Sequence, residues 1–136
     1  MGRRRKARES ALQVLYQVEM SGNEPHRVLQ LFWKNQPEGD AEVRQFTAEI
    51  VDGVTRNRPE LDELIEKHST HWRLARMAVV DRNLLRLGVF ELLYEREIPV
   101  SVTINEAIEI AKKFGTEESG SFINGILDTI AREVKP

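Results

Sequence analysis

Residues 122–134 read Phe-Ile-Asn-Gly-Ile-Leu-Asp-Thr-Ile-Ala-Arg-Glu-Val. Ile123, Ile126, Leu127, Ile130, Ala131 and Val134 recur at steps of three and four, the spacing of a helix with one apolar face. Working backwards, Thr103-Ile-Asn-Glu106 has capping-box spacing and opens a helix with Ile104, Ala107, Ile108, Ala111 and Phe114 inward, closed by Gly115. Before it, from about Asp81 to Glu97, Leu84, Leu85, Leu87, Val89, Phe90, Leu92 and Leu93 occupy more than one helix face. Such a helix is central and contacted from several sides. Asn105 and Asn124 are expected to satisfy buried hydrogen bonds between packed helices.

The first half repeats the period. Ala7, Ala11, Val14, Leu15 and Val18 form a stripe ended by Ser21-Gly22-Asn23. Pro25 suits the first turn of a second helix, with Val28, Leu29, Leu31 and Phe32, which stops before Pro37-Glu38-Gly39. Asp40 can cap a third, with Val43, Phe46, Ile50 and Val54, and Arg58-Pro59 breaks the run. A short fourth helix carries Leu61, Leu64 and Ile65; residues 69–80 mix turn and helix signals. No segment alternates as a strand does. The expectation is an all-α fold of about seven helices in two packed helical sub-bundles, a single domain 1–136 with halves 1–58 and 59–136.

The 136 residues hold 20 Lys plus Arg against 22 Asp plus Glu, a net charge of −2. The average conceals an asymmetry. Residues 1–8 carry five positive charges and no acid, leaving 15 bases against 22 acids in the other 128, a balance of −7. A basic tip on an acidic body points to local anion binding, focused at the edge where the tip, Tyr16 and the Phe122 segment could converge. No 18-residue apolar run suits a membrane span, and the apolar stretch of a signal peptide does not follow the basic segment. The chain reads as cytoplasmic.

Catalysis finds little support. With no cysteine, disulfides, thiolate metal sites and a cysteine nucleophile are excluded, and His26, His68 and His71 are too scattered for a metal cage. No phosphate-binding glycine loop or nucleophile elbow is present. His68 and His71 are read as polar residues beside a turn, and Glu91, Glu106 and Glu109 as structural or partner-facing. The expectation is no enzyme, no cofactor and no metal. Arg3, Arg4, Arg5, Lys6 and Arg8 instead lead into a helix whose positive dipole end opposes them, so the tip is expected to fray until a polyanion neutralises it. Arginine forks suit phosphates and base faces.

Several segments together resemble the NusB family of transcription antitermination factors. They are Arg3-Arg-Arg-Lys-Ala-Arg-Glu9 with Ala11-Leu-Gln-Val-Leu-Tyr16, Asp81-Arg-Asn-Leu-Leu-Arg-Leu87 with Phe90-Glu-Leu92, Ile104-Asn-Glu-Ala-Ile-Glu-Ile-Ala-Lys-Lys-Phe-Gly115, and Phe122-Ile-Asn-Gly-Ile-Leu-Asp128. Each block is weak alone; in order along nearly the whole chain they are specific.

The resemblance implies binding of boxA single-stranded RNA from ribosomal-operon leaders together with the ribosomal protein NusE, within an RNA polymerase antitermination complex. It also implies RNA contacts from Arg3, Arg4, Arg5, Lys6 and Arg8, from Tyr16, from Asp81 and Glu118 as acceptors for base amino groups, and from Phe122 as a stacking ring. Phe122 lies one residue from the Ile123 stripe, so core packing is its other reading. The competing function is a helical protein-binding adaptor, or a homodimer with an incidental basic tail. Phe90 stands where the family often has Tyr, which removes a hydroxyl.

Overall fold

The computed structural model describes residues 2–36 and 40–135. Among them the chain forms α1 (Arg3–Ser21), α2 (Pro25–Lys34), α3 (Ala41–Arg56), α4 (Arg58–His68), a 3-10 turn (Leu74–Arg76), α5 (Val79–Tyr94), α6 (Val100–Phe114) and α7 (Ser119–Val134), with no strand. The all-α expectation holds. The expected break at Pro37-Glu38-Gly39 lies outside the described residues. The helices fall into two compact units, one ending at Arg56 and the other beginning at Asn57. The run of α3 ends at Arg56, just before Arg58-Pro59 as expected, and a new helix follows at once. Proline lacks an N–H and fits the first turn of a helix, so the pair also starts α4.

In the first unit α1 lies along α3, and α2 packs on both. Its core joins Ala7, Ala11, Leu12, Val14 and Leu15 to Val28, Leu29, Phe32, Val43, Ile50, Val51 and Val54. Thr47, fully buried, donates to the Val43 carbonyl at 2.7 Å and to the Ala7 carbonyl at 3.4 Å, tying α3 to α1. Gly22 ends α1 at φ 74°, where other residues are strained, and its N–H donates to the Val18 carbonyl. The Glu24 carboxylate caps α2 by accepting from the His26 and Arg27 amides. Asp40 caps α3 as expected, accepting from the Val43 amide at 2.8 Å.

In the second unit α5 is the hub. It packs against α4, α6 and α7, and every residue from Asn83 to Leu92 is buried. Gly88 permits this closeness: a Cβ there would sit 2.8 Å from a Leu127 methyl carbon. Inside the unit Arg86 is held by Asp62, and Glu91 accepts from Thr103 Oγ1 at 3.3 Å. Glu91 is therefore structural. Thr103 corrects the capping-box expectation. Pro99, at φ −60°, starts α6 one turn earlier, and Thr103 is buried in its second turn. Asn105 and Asn124 are exposed, which overturns their expected burial, because each falls just off its helix's apolar stripe.

Candidate nucleic-acid interface

The start of α5, the α6–α7 turn and the start of α7 enclose a groove of about 370 Å³. Asp81, Glu118 and Phe122 all line it, so residues some forty positions apart in sequence share one surface. Phe122 is half-buried: α7 turns Ile123, Ile126, Leu127 and Ile130 into the core and leaves the neighbouring ring at the edge of that stripe, facing the groove. Asp81 sits in the first turn of α5, where the helix dipole favours a carboxylate. Its Oδ1 is buried and, among the described residues, has no hydrogen-bond partner.

The opposite wall depends on a tight turn. Ser119 is buried and its hydroxyl accepts from the Thr116 amide at 2.9 Å, while Thr116 Oγ1 donates to the Glu118 carboxylate at 3.3 Å. Gly115 leaves room for this arrangement, since a Cβ there would lie 2.5 Å from Ser119 Oγ and 2.9 Å from the Ala111 carbonyl oxygen. Its backbone is extended rather than left-handed, so space rather than φ calls for glycine. Gly115→Ala is expected to lower stability by about 1–3 kcal/mol, as overpacking does, read by urea denaturation. An unchanged midpoint would show that the turn opens freely.

The basic tip forms the other cluster, at the start of α1. It is helical from Arg3 onward, contrary to the expected fraying. The reason is local compensation: Arg3 pairs with Glu42 at 2.9 Å and with Asp40 at 3.4 Å, and the Arg4 guanidinium covers the Phe46 ring at 4.1 Å. The Val43 amide first, and the Arg3 charge after it, hold the Asp40 carboxyl below its ordinary value. Arg3, Arg4 and Lys6 are exposed and Arg5 is partly exposed. Arg8 is different, at 4% exposure. It shares a face with Leu12 and Leu15, four and seven residues on, and that face is buried, so its side chain is not offered to a polyanion. Tyr16 is 39% exposed. Three helical turns separate it from Arg5, which places the two on one face about 16 Å apart.

Sequence reasoning passed over the segment 69–76. Trp72 and Arg76 line the same groove as Phe122, and the signal was a Trp and two Arg clustered in a loop. His71 is exposed there, and His68 Nε2 lies 3.4 Å from Glu133 Oε1. Among the described residues no group of three or more His, Asp or Glu is placed to hold a metal ion, and no helix is long and apolar enough to cross a membrane.

Helices that present an aromatic ring, two carboxylates in one groove with it and a basic helix end define an all-α binding protein. The chain belongs to the NusB family, whose model matches residues 5–132. It is 50% identical over 134 residues to the transcription antitermination protein NusB of Sorangium cellulosum, covering 98% of this chain and 95% of that one. Among solved structures, NusB of T. maritima superposes with a TM-score of 0.90 at 41% identity, covering 100% of this chain and 94% of that one. A crystal structure of antitermination factors NusB and NusE in complex with dsRNA superposes with a TM-score of 0.89 at 29% identity, covering 98% of both chains. The family's role is transcription antitermination and not catalysis.

Proposed function

We propose that this chain binds boxA-type single-stranded RNA of ribosomal RNA operon leaders together with NusE, and so helps RNA polymerase resist termination in the cytoplasm. Its two helical units act as one NusB-like domain. The observation that carries the reading is the groove of the second unit, which the half-buried Phe122 ring lines together with Asp81 and the Glu118 side chain. Unpaired bases are read by stacking on aromatic rings and by hydrogen bonds to their edges, and this groove supplies both. Cytosine and adenine amino groups suit its two carboxylates.

The solved NusB and NusE complex with dsRNA supports RNA and NusE as the partners. Arg3, Arg4, Arg5 and Lys6 contribute phosphate contacts. The exposed pairs of Arg3 with Asp40 and Glu42 are worth little in water and yield readily to a phosphate. Tyr16 adds a ring on the outer face of α1. Arg8 supports the packing of α1.

The test measures affinity for a labelled boxA strand, a scrambled strand and an RNA duplex, each with and without NusE. The boxA strand should bind best and tighten when NusE is added. Arg4→Gln and Lys6→Gln should each make the log–log salt dependence shallower by about 0.7, the value of one phosphate contact on a single strand. Equal binding to all three nucleic acids, with the salt slope unmoved by the substitutions, would reduce the tip to an incidental tail and leave the protein-binding adaptor as the reading.

A further inference from the structure

The RNA reading explains Phe122, Asp81 and Glu118 but leaves the opposite rim of their groove unused. That rim is Trp72 and Arg76. The same two residues line a second depression of about 740 Å³, with Ser69, Thr70, His71 and Arg73 among its other walls. They form a ridge between two grooves.

Trp72 is 53% exposed. Its position is nevertheless built. The Ser69 hydroxyl donates to the Trp72 carbonyl at 2.7 Å, and the Arg76 and Met77 amides close the 3-10 turn onto the Arg73 and Leu74 carbonyls. Leu74 and Met77 are buried as anchors. From α5, Arg82 Nη1 donates to the Leu74, Ala75 and Met77 carbonyls at 3.4, 3.3 and 3.1 Å, fastening the turn from below. The backbone is held while the large apolar ring stays outside. Arg73 and Arg76 are exposed on the same turn, and among the described residues neither takes part in an ion pair. An exposed indole that lines one depression with two exposed guanidiniums, and one groove with the Phe122 ring and two carboxylates, matches the stacking-plus-cation arrangement used for single strands.

We infer that Trp72 is a second base-stacking platform and Arg76 a phosphate contact beside it, so that a single strand leaving the Phe122 groove continues over this ridge. The inference rests on the RNA reading above and extends it by a further nucleotide.

The experiment uses the full chain with Trp33→Phe, which leaves Trp72 as the sole tryptophan, and a fluorescein-labelled boxA strand. Anisotropy reports binding and intrinsic emission reports stacking. Saturating RNA should quench Trp72 emission. Trp72→Ala should weaken affinity by about 5- to 150-fold, the range of one lost base–aromatic stack, and Trp72→Phe should restore most of it. Arg76→Gln should make the salt slope shallower by about 0.7. Circular dichroism checks that each variant keeps its helices. Normal anisotropy with unchanged Trp72 emission and unchanged affinity of Trp72→Ala overturns the inference and leaves the RNA reading standing. Emission that ignores RNA but shifts on adding NusE assigns the ridge to a protein partner and overturns it too. No RNA binding by the parent chain sinks both.

Discussion

Asp62→Ala should lower the unfolding free energy by about 3 kcal/mol, the size of effect seen when one member of a buried ion pair is removed. The Arg86 side chain is 4% exposed and that of Asp62 23%. Asp62 accepts from Arg86 Nε at 2.7 Å and from Nη2 at 3.3 Å, and Arg86 Nη1 donates to Asn83 Oδ1 at 3.1 Å. Deleting the carboxylate takes two charge-assisted hydrogen bonds from a desolvated cation in the second unit. Arg58, 3.6 Å from the same carboxylate and largely exposed, loses little. The double variant Asp62→Leu with Arg86→Met should recover most of the loss, because well-packed apolar residues replace such pairs at small cost. Urea unfolding of the three proteins measures both effects. A single-variant loss below about 1 kcal/mol would mean that water reaches the guanidinium, contrary to its burial.

Phe122→Ala should weaken boxA RNA binding by roughly 5- to 150-fold, the cost of one base–aromatic stack. The ring is half-buried at the edge of the α7 stripe, while the helix is anchored by Ile123, Ile126, Leu127 and Ile130 beneath it. The substitution should therefore leave the fold in place and act on affinity. Phe122→Tyr or Phe122→Trp should retain binding, since each keeps a π-face. NusE should still tighten the residual binding if it engages a different surface. A variant that binds RNA as the parent does but unfolds several degrees earlier would assign Phe122 to core packing, the alternative that its place beside Ile123 always allowed.

The helices themselves were legible because burial in an all-α chain writes a period of three to four into the sequence. The α5 pattern of Leu84, Leu85, Leu87, Val89, Phe90, Leu92 and Leu93 announced a helix covered on several sides, and all but the half-buried Leu93 are buried. Caps were less legible. Asp40 acts as read, whereas Thr103 does not, because Pro99 and the burial of Thr103 against Glu91 outweighed a local capping pattern. Arg8 shows the same competition: four neighbouring cations suggested a uniform basic surface, but its phase with Leu12 and Leu15 carried it inward.

The sequence by itself determined the helical class, the position of most of the core and, through blocks of residues matched in order, the family. It also singled out Asp81, Glu118 and Phe122, but one at a time. Only the tertiary structure decided that these three line one groove with Trp72 and Arg76. The physical reason is one of range. Helical periodicity comes from each segment's own burial and can be read within a window of some fifteen residues, whereas the groove arises where α5, α7 and the 69–76 loop meet across a separation of some forty.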